Sequence, residues 1–166
     1  MLDLTRGMVD GVVGHWVWVV GPDCHLDDDG HEHPKLTPGA PAMRWACHRD
    51  TRRGDLAVLY RSRRAKDVAY LFRATSDATY EDVPDRPWNC EAEVLERFER
   101  PVPLAELRAD PVTATWPALR ASFVRTGAPV PDDVWDRVLA MAGHVAAGRG
   151  SDCAASGSPS WPAPTP

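Results

Sequence analysis

The chain has 166 residues, 43% of them hydrophobic, with 19 Lys and Arg against 24 Asp and Glu and a formal net charge of −5. That size is most simply one domain, long enough to bury its own core without staples. No apolar run approaches membrane-spanning length, and Cys24, Cys47, Cys90 and Cys153 lack the paired CxxC spacing of a structural zinc site or the pattern of a disulfide framework.

Residues 1–13 read as a short leader without the basic and apolar regions of a secretory signal. A reducing cytoplasm is therefore the expected setting. Lys35 and Lys66 are the only lysines among abundant arginine and alanine, a composition that points to a GC-rich bacterial genome. His15–Val20 (His-Trp-Val-Trp-Val-Val) is the first strand, dense in β-branched and aromatic residues, and Gly21-Pro22 ends it. Residues 23–41 form an irregular loop carrying Asp27-Asp28-Asp29-Gly30. Further strands are expected at Trp45–His48, Asp55–Tyr60 and Val68–Ser76, and Asn89–Phe98 reads as a long strand with one solvated side. Pro103–Arg108 and Thr115–Ala121 are short helices. Pro131–Ala147 is the strongest helix, with Asp132 and Asp133 at its positive end and an apolar stripe through Val134, Trp135, Val138, Leu139 and Met141. From residue 148 Gly, Ser, Ala and Pro dominate, as in a disordered tail. Without a βαβ rhythm, these elements predict an α+β fold: a small, strongly bent antiparallel or mixed barrel of five to six strands, flanked by short helices, over 14–147.

Charge is distributed unevenly. Arg44 to Arg73 holds nine Lys and Arg against Asp50, Asp55 and Asp67, a net +6, so the remainder of the chain carries −11. Trp45, Tyr60 and Tyr70 are interleaved with those cations. A basic, aromatic segment in an acidic protein predicts one face that meets an anion by charge and by stacking.

The block Gly54-Asp55-Leu56-Ala57-Val58-Leu59-Tyr60-Arg61-Ser62 resembles the EVE domain of the PUA-like superfamily. The likeness continues through the strand Asp67–Ala74, the Tyr80-Glu81-Asp82 loop, and Pro101-Val102-Pro103-Leu104-Ala105-Glu106-Leu107. It closes with Ser122-Phe123-Val124-Arg125-Thr126-Gly127 before Pro131-Asp132-Asp133-Val134-Trp135. The resemblance implies a PUA-like barrel, kinship with the YTH domains that hold a methylated adenine in an aromatic cage, and a reader of modified bases. In bacteria such domains often accompany restriction or defence functions. Two departures stand out: Val20-Gly21-Pro22 replaces the usual Lys-Ser-Glu, and Met43–His48 replaces a Gly-Val-Arg-Asn stretch. Both flank the expected pocket.

A base lifted from its strand needs flat aromatic walls and polar groups aimed at its edge. Trp45 matches the cage tryptophan of YTH domains by position and is the first expected wall; Trp88 and Tyr80 are further candidates, each with core packing as the alternative. Trp16, Trp18 and Trp135 read as structural. Cys47, His48, Ser62 and Asp23 are the polar candidates. For Ser62 the alternative is a strand-end hydroxyl bonded to backbone, and for His48 a solvated loop residue. Arg49, Arg52, Arg53, Arg61, Arg63, Arg64 and Arg125 would bind phosphate, the alternative being a solvated face.

A competing constellation is Cys24, His25, Asp27, Asp28, Asp29, His31 and His33, in which a metal-assisted nuclease or nucleotide hydrolase would find ligands. His31 and His33 sit two apart in a Pro-flanked loop with no helix to fix them on one face, so a solvated acidic turn is the plainer reading. A third reading is a protein-interaction module using the helix from Pro131. No nucleophile elbow, P-loop or GxGxxG is present. The expectation is thus a non-catalytic reader, without metal, cofactor or membrane contact. It would bind methylated or hydroxymethylated cytosine, or methylated adenine, in DNA or RNA and pass recognition to an effector protein.

Overall fold

Trp16, Trp18 and Val20 alternate with Val17 and Val19 along the first strand, and the two sets enter different cores, so this strand is covered on both faces. The computed structural model describes residues 12–124 and 126–144. The expected tail at 148–166, Arg125, and all of the leader except Val12 and Val13 lie outside the described residues.

Seven strands form one sheet: β1 His15–Val20, β2 Met43–Ala46, β3 Leu56–Arg61, β4 Asp67–Ala74, β5 Thr79–Tyr80, β6 Trp88–Pro103 and β7 Ala128–Pro129. Their order is β2-β6-β4-β3-β1-β7, with β5 beside β6. The pairing is mixed, because β1 runs parallel to β3 while the other neighbours are antiparallel. The sheet curls into a half-barrel of the PUA-like type. Register shifts between Val68 and Tyr70 and between Leu71 and Phe72, against the 16-residue β6, supply the bend that lets one long strand serve β2, β5 and β4.

Four short helices complete the fold: α1 Pro22–His25, α2 Leu104–Ala109, α3 Pro117–Arg120 and α4 Asp132–Met141. Val134, Trp135 and Val138 of α4, Leu107 of α2 and Leu119 of α3 cover one sheet face, around Val17, Val58, Leu71 and Phe98. The second core, on the other face, contains Trp16, Trp18, Leu59, Tyr70, Phe72 and Val94.

Several expectations change in detail: the strand expected at Trp45–His48 lies at Met43–Ala46, the one expected at Asn89–Phe98 runs from Trp88 to Pro103, and the short β5 and β7 bring the expected five to six strands to seven. The helix expected at Thr115–Ala121 is a 3₁₀ turn, Thr113–Thr115, followed by α3, because Pro117 cannot donate to a continuing helix. The helix expected to reach Ala147 ends at Met141, with Gly143 at φ +96 as the left-handed stop. The expected irregular loop contains α1 and a second 3₁₀ turn, Pro34–Leu36, whose Leu36 is buried in the second core.

Candidate functional site

Asp55, buried at 6% exposure, organises the loop that enters β3. Its carboxylate accepts hydrogen bonds from Gly14 N (2.8 Å), Trp16 Nε1 (2.8 Å) and Arg52 N (2.9 Å). Trp16 in turn stacks on the His48 ring, with centroids 4.8 Å apart, and His48 Nδ1 accepts from Asp50 N at 3.1 Å. The basic loop after β2 is therefore pinned at both ends before any ligand arrives.

The floor and walls of a cavity of about 660 Å³ begin at that loop. Ala46, Cys47, His48 and Arg49 supply one side, while Val19, Gly21, Asp23 and Cys24 supply another. Ser62 and Arg63 come from the β3–β4 hairpin, Asp85, Arg86, Pro87 and Trp88 from the entry to β6, and Val124 and Thr126 from the segment before β7. Several ties close this ring. Ser62 donates both N–H (2.8 Å) and hydroxyl (2.9 Å) to Val20 O. Val19 N donates to Thr126 Oγ1 at 3.2 Å, and Cys47 N to Trp88 O at 3.0 Å. Arg63 holds φ +64 at the hairpin, a left-handed backbone that the short turn imposes.

Cys47 and Cys90 are both buried, at 6% and 3% exposure. The neighbouring Cys90 thiol holds the Cys47 thiol below its ordinary value; the Cys47 sulfur and burial push Cys90 upward.

Glu32 anchors the long loop to the sheet. It accepts from Arg61 Nη1 (2.7 Å), Arg97 Nε (2.6 Å) and Arg97 Nη2 (2.8 Å), while Arg61 also grips Asp67 through Nε (2.7 Å) and Nη2 (2.6 Å). Both guanidiniums lie over the Tyr70 ring, about 6 Å from its centroid. The Arg97 hydrogen bond, above all, lowers the Glu32 pKa. Burial, then the Glu32 carboxylate, pushes Tyr70 up to about 12.

Five of the seven expected base-pocket residues, Asp23, Cys47, His48, Ser62 and Trp88, share the cavity lining. Trp45 does not line it. Its half-buried ring packs at 5.2 Å on Phe72 and 6.2 Å on Trp18, on the sheet face shared with Cys90. Tyr80 is 62% exposed and meets the edge of Trp88 at 5.4 Å without lining the cavity. Of the expected phosphate ligands, Arg49 and Arg63 reach the cavity, Arg52 and Arg53 are exposed beyond it, and Arg61 is spent on Glu32 and Asp67. A guanidinium 11% exposed and held by two carboxylates has no free fork for phosphate. Arg86, Asp85, Thr126 and Val124 were not singled out from the sequence; they come from loops with no strand or helix periodicity, and only the fold brings them to the cavity.

In the alternative constellation, Asp27, Asp29 and His31 place ligand atoms within 4.8 Å of one another at an exposed turn. Asp27 Oδ1 already accepts from Asp29 N (3.0 Å) and His31 N (2.8 Å). Cys24, His25, Asp28 and His33 stay outside the group: His25 is 2% exposed and bonds Gly21 O, and His33 Nδ1 accepts from Lys35 N. Among the described residues, no helix is long and apolar enough to cross a membrane.

The fold has solved relatives. A Rhodopseudomonas palustris protein solved by NMR superimposes with TM-score 0.63 and 22% identity, over 79% of this chain and 94% of its own. A crystal structure of an Agrobacterium tumefaciens protein gives 0.62 and 18%, with coverages of 79% and 94%. The crystal structure of human THYN1 protein, in complex with 5-methylcytosine containing DNA, gives 0.55 and 19%, with coverages of 80% and 99%. No curated protein matches the sequence significantly. The family model for the EVE domain matches residues 15–141, and the chain therefore belongs to the EVE domain family.

Proposed function

We propose that this chain is a non-catalytic reader that holds a modified nucleobase in the cavity between β2, the β3–β4 hairpin and the entry to β6. The observation that carries the reading is the cavity itself. An indole (Trp88), a thiol (Cys47) and hydroxyls (Ser62, Thr126) converge there with Arg49, Arg63 and Arg86. Its volume of about 660 Å³ lies within the range of small-molecule sites. The indole offers a stacking face, the thiol an apolar contact for a methyl group, and the arginines a path for the flanking phosphates. Family membership and the DNA held by the THYN1 relative support methylated cytosine in DNA as the first ligand to examine. The setting is the cytoplasm, and an effector protein acts on what is read.

The test is binding of the full chain, at one salt concentration, to oligonucleotides differing at a single base: unmodified, methylated or hydroxymethylated cytosine, and methylated adenine, each as DNA and as RNA. A preference of about tenfold or more for one modification, about 1.4 kcal/mol, bears the reading out. Equal affinity for every oligonucleotide overturns it.

A further inference from the structure

Val124 lines the cavity, and yet it is 79% exposed. A single exposed valine is ordinary on a protein surface. The company of this one is what sets it apart. Of the five large apolar residues exposed among the described residues, Val12 and Val13 lie near the start of the chain, and the other three are on the cavity or next to residues that line it. Tyr80 meets the edge of Trp88 at 5.4 Å, and the Val83 carbonyl accepts from Arg86 N at 3.4 Å, where Trp88 and Arg86 both line the cavity.

The backbone that carries Val124 is strained and tied down. Ser122 and Phe123, neither of them glycine, hold φ +56 and +52 in succession, a left-handed pair that L-residues adopt only where the surroundings impose it. Here Ser122 N donates to Leu119 O at 2.9 Å and Phe123 N to Ala118 O at 2.8 Å. The Phe123 ring, 3% exposed, stacks on Tyr60 with centroids 4.2 Å apart and meets Trp116 edge-on at 5.0 Å. Beyond Val124, Thr126 Oγ1 accepts from Val19 N at 3.2 Å and Gly127 N donates to Val17 O at 2.9 Å. The first core thus holds residue 123 inward while residue 124 stands out beside the cavity. A β-branched side chain there has little rotamer freedom to lose on entering a narrow gap.

Drawing a base out of a duplex leaves such a gap, because the neighbouring pairs lose their stacking partner. An apolar side chain inserted between base steps fills it. We propose that Val124 is this wedge: it enters the stack of duplex DNA where the base has left for the cavity, so that the ligand is a modified base within a duplex rather than in a single strand. The inference rests on the reader proposed above. Arg49, Arg63 and Arg86, lining the same cavity, hold the phosphates around the opened step. A single strand offers no gap of this kind, so Val124 contributes to duplex binding alone.

The experiment takes the DNA oligonucleotides of the preceding test, each as a single strand and as a matched duplex, at one salt concentration. The full chain should bind the preferred modification more tightly in the duplex. Val124→Ala should weaken the duplex about tenfold, the worth of two buried methyl groups, and leave the single strand within about twofold. Val124→Leu, which keeps an apolar wedge, should bind like the parent. A 2-aminopurine beside the modified base should brighten when the parent binds the duplex, since its stack is opened. Denaturant melts of the variants show that the exposed side chain is dispensable for folding. Single-strand affinity equal to that of the duplex, an equal loss on both forms in Val124→Ala, or a bound duplex whose 2-aminopurine stays dark overturns the wedge. A base preference absent from every oligonucleotide counts against the reader. A preference kept on single strands, with duplex binding indifferent to Val124→Ala, counts against the wedge alone.

Discussion

The Cα of Gly127 sits against the backbone of His48, so closely that a Cβ at residue 127 would lie 2.7 Å from His48 N and 3.0 Å from Cys47 C. Gly127 also holds φ +76, and its N–H donates to Val17 O at 2.9 Å. The segment that brings Thr126 to the cavity and the loop that brings Cys47 and His48 there are thus in backbone contact. Gly127→Ala should cost about 2–3 kcal/mol, from a left-handed alanine and a clash with main chain that has nowhere to move. Gly143→Ala is the comparison: φ is +96 there but nothing lies within 4 Å, so it should cost only about 1 kcal/mol. Urea midpoints for the two variants measure the difference, and equal losses would mean that the contact is not tight.

Trp88 and Trp45 should separate binding from stability. Trp88 lines the cavity, whereas Trp45 packs on Trp18 and Phe72. Trp88→Ala is expected to lower affinity for the preferred modified oligonucleotide by about 1–3 kcal/mol, the worth of one stacked base. Trp45→Ala is expected to lower the unfolding free energy by about 3 kcal/mol through lost packing. Titration calorimetry and denaturant melts on both variants check this. The opposite pattern would restore Trp45 as the stacking wall.

Asp55 is a structural keystone of the Gly-Asp-Leu motif. Asp55→Ala strands the Trp16 indole N–H and the Gly14 and Arg52 amides, so a loss of about 2–4 kcal/mol is expected. Because Trp16 stacks on His48, the indole fluorescence should change in the folded variant as well. A variant as stable as the parent would show that water replaces all three bonds.

The Glu32 anchor carries a pH signature. Its folded pKa is depressed, chiefly by the Arg97 hydrogen bond, so its stabilising effect is present above the unfolded value of 4.5 and is lost as pH falls through the lower folded value. The parent should therefore be more stable than Glu32→Gln near neutral pH, with the gap closing below pH 4.5. Chemical denaturation of both proteins across that window is the measurement. A gap that persists in acid would assign the effect to packing of the side chain.

Removing cations should act according to where each one is spent. Arg49→Ala and Arg63→Ala are expected to weaken all oligonucleotides alike and to reduce the salt dependence by about one ion each. Arg61→Ala should instead destabilise the fold, leaving Glu32 and Asp67 uncompensated. Salt titrations of binding, set beside melts, distinguish the two behaviours.

Local order was legible in the chain because it depends on neighbours in sequence. The alternation of His15–Val20, the strand after Gly54-Asp55, and the start of α4 near Pro131 follow from side-chain period and turn chemistry, and each is found where the residues place it. The ordered motifs from His15 to Met141 were enough to name the family and its fold. The roles of individual side chains were decided by tertiary structure. Trp45 and Trp88 are both tryptophans beside a basic segment and both pack against the second core, yet only Trp88 also lines the cavity. Arg61 and Arg63 are two residues apart, yet Glu32, from a loop 29 residues away, claims the first, and the hairpin turn points the second at the cavity. Parallel pairing of β1 with β3 and the meeting of Gly127 with His48 likewise join distant segments. Burial and charge pairing across such separations are properties of the folded chain, and no local pattern encodes them.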